Sequence, residues 1–239
     1  MRIVLAYVTV TGGPQTLDYA ARFTATYHAN PPGIDHETLI ICNGGPAQAA
    51  VGVSLMSLPQ PTFFARPNDQ GWDISAYMDA ARGPASSADM LLCLGESVYF
   101  HRKGWLERLV KAWEKWGPGM FGPYASNTIR PHMNTTAFCT SPDLLSRYPY
   151  CVNNKPGRYE FEHGLKSFWK ILRQSGRSTV LVTWDGEYPP ERWRHGQNIL
   201  WRGDQSNCLF WCNHTERYVA ADERTKETWR QYCDQPYRE

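Results

Sequence analysis

No stretch of this sequence approaches the roughly 18 consecutive apolar residues that a membrane-spanning helix needs. The first ten residues, MRIVLAYVTV, are too short and too weakly basic for a secretory leader, and no A-x-A site follows. A cytoplasmic location is therefore expected. The seven cysteines are an odd number without a leader, which argues against a disulfide framework. Cys208 and Cys212 with His214 invite a zinc reading, but the second ligand pair of a structural site is missing, so buried free thiols are expected instead. Internal repeats, low-complexity tracts and a clear linker are absent too, so residues 1–239 are expected to form a single domain. Charge of one sign is not in excess either, with 25 Lys and Arg against 23 Asp and Glu.

What the chain does have is aromatic content and an uneven charge distribution. Aromatics make up 13% of the 239 residues and charged residues only 20%, so a packed core is expected and wholesale disorder is excluded. Residues 1–100 hold 4 Lys/Arg against 8 Asp/Glu, residues 101–177 hold 13 against 5, and residues 178–239 hold 8 against 10. The middle third is thus a basic segment with a balance of +8 between two mildly acidic ones. Such a segment suits an anionic ligand, a diphosphate or a nucleic acid; equally, its cations can decorate solvent-facing helix surfaces.

Apolar runs rich in β-branched residues predict strands at 2–10, 38–42 and 62–65. Asp89–Leu94 shows no polar alternation, the pattern of a strand buried on both faces of a parallel sheet. Between these lie helical patterns: one opened by Pro14, one from Asp73 to Ala81 with Asp73 as N-cap, and one over 105–116 with Leu106, Leu109, Val110 and Trp113 on one face. The alternation predicts an α/β fold with a mostly parallel sheet flanked by helices, followed by a less regular C-terminal half. That half carries an expected helix over 159–174, a strand over 178–184 and a polar helix over 222–233. In open α/β sheets ligands bind beyond the carboxyl ends of the strands, which directs attention to residues 9–13, 43–46, 66–73 and 95–99.

Four polar clusters stand out. Arg66-Pro67-Asn68-Asp69-Gln70-Gly71-Trp72-Asp73 packs a cation, amides and two carboxylates at a strand-to-helix junction, where it can hold a ribose or base or act as an ordinary turn. Gly95-Glu96-Ser97 follows the fourth strand, and the Glu96 carboxylate can meet a hard divalent cation through oxygen. In Arg158-Tyr159-Glu160-Phe161-Glu162-His163-Gly164, two carboxylates two residues apart cannot point the same way, so one can face a pocket while the other faces solvent. The last string is Arg202, Asp204, Gln205 and then His214 in an aromatic neighbourhood, with His132 in a similar polar island. These side chains suit contacts to phosphate or to an acceptor hydroxyl, and equally suit satisfied loops.

In order, these motifs resemble a GT-A-fold glycosyltransferase, similar to the family 2-like enzymes that use nucleotide sugars. The match runs from the first strand to about Asn207. Val10, Thr11 and Gly12 look like the turn that receives the nucleotide. Arg66, Asn68 and Gly71, with Asp73 downstream, resemble the R-x-N-x-G segment beside the nucleoside. Gly95, Glu96 and Ser97 fall where that group places its D-x-D metal motif, with one carboxylate where the pattern has two aspartates. Glu160 and Glu162 fall where an acidic general base is expected.

The resemblance implies a Rossmann-type GT-A-like sheet, with residues 1–117 binding the nucleotide sugar and residues 118–239 the acceptor. It further implies a nucleotide-diphosphate sugar donor, a glycan or small-molecule acceptor, and inverting transfer with Glu162, or else Glu160, as base. A divalent cation, Mn²⁺ or Mg²⁺, is implied at Glu96. The basic middle segment raises a DNA acceptor as an alternative. The altered metal motif raises a catalytically silent binding module. A nucleotidyltransferase ranks lower, because Thr11-Gly12-Gly13-Pro14 lacks the basic residue that would cradle a triphosphate.

Overall fold

The computed structural model describes residues 1–127, 130–195 and 200–234. Its first half alternates strand and helix: β1 (Ile3–Val10), α1 (Thr16–Ala29), β2 (Glu37–Asn43), α2 (Ala49–Leu55), β3 (Pro61–Arg66), α3 (Trp72–Arg82), β4 (Met90–Leu94) and α4 (Trp105–Trp116). The second half adds β5 (Gly119–Gly122), β6 (Ala125–Ser126), β7 (His132–Met133), β8 (Ala137–Thr140), α5 (Pro142–Ser146), α6 (Lys155–His163) and α7 (Phe168–Gln174). It ends with β9 (Ser178–Val182), β10 (Glu187–Tyr188), α8 (Asn213–Ala220) and α9 (Glu223–Asp234).

Eight strands form one sheet in the order β10-β9-β5-β8-β4-β1-β2-β3. Four of the seven pairings are parallel, so the sheet is mostly parallel, as the continuous apolar runs predict. The exceptions are β8, antiparallel to both β4 and β5, and the edge hairpin of β9 with β10. The half expected to be irregular thus contributes four of the eight strands. Of these, β9 falls within the strand expected over 178–184, whereas β5, β8 and β10 are only two to four residues long, too short to announce themselves by periodicity.

Alternate residues of each central strand feed two separate cores, because successive strand side chains point to opposite faces. Leu5, Tyr7, Ile40, Leu92 and Leu94 pack with Phe23 of α1 and Trp105, Leu106 and Leu109 of α4. Val4, Ala6, Leu39, Leu91 and Cys93 pack with Ile74 and Tyr77 of α3 and Phe168 and Trp169 of α7. Cys42, Cys93, Cys139, Cys208 and Cys212 are buried free thiols, and Cys151 is an exposed one. At the sheet edge Glu187 accepts hydrogen bonds from Lys115, Arg108 and Trp116 at 2.7–2.8 Å, fastening β10 to α4. Burial pushes the Glu187 carboxyl up, but these bonds outweigh it and hold it at about 2.

Three boundaries differ from expectation. Pro14 does not open α1, which starts at Thr16 with Gln15 as N-cap, so Pro14 precedes the helix. The helix predicted over 159–174 is broken into α6 and α7. Gly164 caps α6 with extended ψ, and the Glu160 carboxyl folds over it to accept from the Lys166 amide at 2.6 Å. A Cβ at Gly164 would meet that carboxyl, so a side chain there would displace the Glu160 carboxyl from its place over the break. Asp73 is not the N-cap of α3. Gly71 holds that place at φ 72°, and Asp73 sits inside the first turn.

Candidate active site

The parallel register brings the ends of β1, β2 and β3 level, with Val10 opposite Asn43 and Asn43 opposite Arg66. Arg66 is buried and wholly engaged by the protein. Its guanidinium donates to Asn43 Oδ1 (2.6 Å), Asp79 Oδ2 (2.8 Å) and Ser75 Oγ (2.9 Å), binding the ends of β2 and β3 to α3. Asn43 in turn donates to the Trp72 carbonyl at 3.2 Å. Gly71 makes this junction feasible: its φ is positive, and a Cβ there would overlap the Val152 carbonyl oxygen. Trp72 follows, also left-handed at φ 50° and half-exposed.

The result is a pocket of about 190 Å³ lined by Val10, Asn43, Trp72, Asp73, Glu96 and Arg158, among others. Glu96 is pinned at its mouth. Its backbone carbonyl accepts from Tyr7 Oη at 2.8 Å, and its Oε1 accepts from the Val10 amide at 3.0 Å and from Thr9 Oγ1 at 3.4 Å. Asp73 lies opposite Arg158, whose Nε is 3.6 Å from Asp73 Oδ1. Burial raises the Asp73 carboxyl above its ordinary range, and Arg158 pulls against that shift.

Arg158 leads from this pocket to a second group of polar side chains. On α6, residues 158 and 162 are four apart and share a face, whereas 160 lies on another. Glu162 is accordingly buried, and its two oxygens accept from the Thr135 amide and the Thr135 hydroxyl, each at 3.2 Å. Beside it, His132 and His163 stand edge to face with ring centroids 4.0 Å apart. Burial lowers the pKa of His132 to about 4 against the pull of the Arg130 carbonyl. Burial and the neighbouring His132 bring His163 to about 4, against the pull of Glu162. Both imidazoles are therefore neutral near pH 7. His214, in the first turn of α8, is lowered by burial and by Arg217, while Glu162 draws it the other way. Thr135 holds the hairpin end against α6, and the adjacent Asn134 amide donates to the Tyr124 carbonyl.

No family model and no curated protein sequence matches the chain. Solved structures with a similar chain path include the S. aureus protein TarS, at 9% identity and TM-score 0.46, covering 62% of this chain and 30% of that one. They also include the mannosyltransferase PcManGT from Pyrobaculum calidifontis, in complex with GDP-Man and Mn²⁺, at 12% identity and TM-score 0.46, covering 62% and 46%. An active-site mutant of LgtC is a third, at 11% identity and TM-score 0.45, covering 62% and 60%. The chain thus spans 30–60% of the length of these proteins.

The remaining residues singled out in the sequence are distributed as follows. The Thr11 hydroxyl donates to the carbonyls of Gly45 and Pro46, tying the β1 turn to the β2 turn, and Gly12 sits at its tip with φ 79°. Asn68 accepts from the Gln70 amide in an exposed turn. Gly95 packs on Thr136, and Ser97 donates to Asn213 Oδ1 at 3.1 Å, which docks the start of α8 onto the β4 turn. Asp204 caps Ser206, and the Gln205 amide donates to the Arg202 carbonyl, so this string forms its own turn rather than lining the pocket. Glu160 points away from Glu162 into a separate groove of about 640 Å³, with Arg130, Tyr148, Tyr150, Tyr159 and Lys166 around it. Cys208, Cys212 and His214 do not converge on one point among the described residues, as a zinc site would require.

Asn43, Trp72, Thr135 and Arg158 are the lining or supporting residues that the sequence motifs left unassigned. Asn43 and Trp72 lie within the strand-end turns at 43–46 and 66–73 where ligands are expected, Arg158 is spaced four from Glu162, and Thr135 carried no such signal. At the end of β4 Glu96 offers one carboxylate, with one oxygen already holding the Val10 amide. A hard cation such as Mg²⁺ is commonly held by one or two carboxylates together with substrate phosphates and waters, so a cation at Glu96 would need such further oxygens.

Proposed function

We propose that this chain transfers a sugar from a nucleotide-diphosphate donor to an acceptor hydroxyl. The observation that carries the reading is the pocket at the strand ends, joined through Arg158 to a buried carboxylate. At about 190 Å³ the pocket is smaller than the roughly 300–1,000 Å³ usual for small-molecule sites, which suits one end of an elongated donor. In this reading Asn43 and Asp73 hydrogen-bond the nucleoside, with the exposed Trp72 ring as its platform. Arg158 meets the diphosphate with a forked pair of donors.

In this reading the acceptor lies on the Arg158 face of α6, which Glu162 shares, and not in the tyrosine-lined groove onto which Glu160 opens. The acceptor hydroxyl gives a proton to Glu162, and the oxygen attacks the anomeric carbon on the face opposite the diphosphate. The bond from that carbon to the diphosphate oxygen breaks, and the nucleoside diphosphate leaves with the configuration inverted. Thr135 keeps Glu162 oriented for this step.

A thermal-shift series with UDP, GDP, CMP and dTDP sugars, with and without Mn²⁺, tests donor binding. Any ligand that prefers the folded state raises the melting temperature by mass action. Donor hydrolysis then tests chemistry. We expect Glu162→Gln to lower it at least about 100-fold, the usual scale of a general base, with Glu160→Gln close to wild type. No shift with any donor would overturn the reading. A donor that binds without turnover would instead mark a silent binding module.

A further inference from the structure

We propose that His132, Glu162 and His163 form a binding site for one divalent transition-metal ion. One potential ligand atom from each lies within 4.8 Å of the others. The site takes its parts from distant places: β7 supplies His132, and the last turn of α6 supplies Glu162 and His163. Two imidazoles and one carboxylate are the donor set of borderline ions such as Zn²⁺, Co²⁺, Fe²⁺ or Mn²⁺, and not of Mg²⁺ or Ca²⁺.

Several independent features support a ligand there. His132 Nδ1 lies 2.8 Å from the Arg130 carbonyl, an acceptor only, so that nitrogen carries the proton and Nε2 keeps its lone pair. This is how metal-binding histidines are oriented in general, by an outer hydrogen bond to a carbonyl or carboxylate. The Thr135 amide and hydroxyl fix the Glu162 carboxylate in the same manner. His163 Nε2 stands 3.8 Å from Glu162 Oε2, too far for a hydrogen bond. Two atoms bonding one tetrahedral ion at about 2.1 Å are about 3.4 Å apart, so a shift of about 0.4 Å brings this pair to ligand spacing. His163 Nδ1 is buried with no hydrogen-bond partner among the described residues.

The site does not depend on sugar transfer. If both readings hold, Glu162 is the base in the metal-free chain. With the ion bound it is a ligand, and a hydroxyl on the ion is acidified in its place.

Calorimetric titration of the chelator-treated full chain with Zn²⁺, Co²⁺, Mn²⁺ and Mg²⁺ tests the inference. Co²⁺ also reports through its visible absorption. We expect one equivalent of Zn²⁺ or Co²⁺ and no Mg²⁺ binding at the same concentration. His132→Gln and Glu162→Gln should each weaken binding at least about 100-fold, and Glu96→Ala should not change it. Circular dichroism identifies any variant that fails to fold, and Thr135→Val then serves as the folded probe, expected to weaken binding about 10-fold or more. No binding by the folded wild-type chain overturns the site, as does binding removed by Glu96→Ala but not by Glu162→Gln. Metal binding without any nucleotide shift leaves the site standing and removes the transferase reading. Chelator-insensitive donor turnover by a chain that binds no ion does the reverse.

Discussion

Gly71→Ala, set against Gly12→Ala, isolates the contact that shapes the candidate pocket. Both glycines are left-handed, at φ 72° and 79°, so alanine at either carries a similar conformational cost of about 1–2 kcal/mol. Both substitutions also restrict the unfolded chain alike, which cancels in the comparison. They differ in what the new methyl meets. At Gly12 nothing lies within 4 Å, whereas at Gly71 the methyl would overlap the Val152 carbonyl and lie 2.5 Å from Ser75 Cβ. Neither the Val152 backbone nor the first turn of α3 is the free end of a flexible chain, so the backbone has to move. Forced overpacking of this kind costs about 1–3 kcal/mol. Gly71→Ala should therefore be about 2–5 kcal/mol less stable than wild type, and Gly12→Ala about 1–2. Urea unfolding, comparing midpoints at unchanged slope, measures both. Because Gly71 positions Trp72 and Asp73, its variant should also lose nucleotide affinity, read by the thermal-shift series. Equal destabilisation by the two variants would refute the steric argument.

Glu187→Gln should cost about 2–3 kcal/mol at pH 7 and about half that at pH 3, measured by urea unfolding at each pH. A carboxyl held at about 2 in the fold and about 4.3 when unfolded contributes stability that is present above about pH 4.3 and lost as pH falls through 2. A pH-independent difference would show that the Arg108 and Lys115 contacts do not act on the charge. Arg66→Ala should cost about 2–4 kcal/mol in the same assay, because it strands Asn43 and leaves Asp79, itself half-exposed, without its partner. A loss below 1 kcal/mol would mean that Arg66 is not the brace joining β2, β3 and α3.

The central half of the fold was legible because its strands are long and buried on both faces. Ile3–Val10 and Met90–Leu94 have no polar alternation, and each proves to supply both cores. Of the four later strands of the sheet, β9 falls within the strand expected over 178–184, and the other three were hidden for a physical reason. Residues such as Gly119–Gly122 and Ala137–Thr140 fill short slots between neighbours already in place, so tertiary context rather than their own pattern makes them strands. At the candidate site, the turns at 10–12, 71–73 and 95–97 were found from the rule that ligands sit beyond strand ends. Two things were not legible. One is the inward engagement of Arg66, since a buried and an exposed arginine look alike in sequence. The other is the meeting of His132 with His163, which needs a hairpin of four residues and the end of a helix to pack together.

The +8 segment illustrates how a pattern along a chain changes meaning on folding. The sequence offered a polyanion as its counterpart. In the fold, Arg108 and Lys115 pair with Glu187, Arg173 with Glu191, and Arg158 with Asp73. All three of those carboxylates belong to the acidic segments on either side. Lys111 and Arg147 are paired within their own helical turns, with Glu107 and Asp143. Much of the asymmetry is thus charge complementarity between parts of one chain, and it costs no external anion to satisfy. Arg158 is different in kind. Its partner Asp73 is itself raised by burial and sits 3.6 Å away, beyond hydrogen-bond length, and both line the pocket. A diphosphate would offer this guanidinium the close oxygens that Asp73 does not. Within the basic segment it is therefore Arg158, and not the segment's net charge, that argues for an anionic ligand.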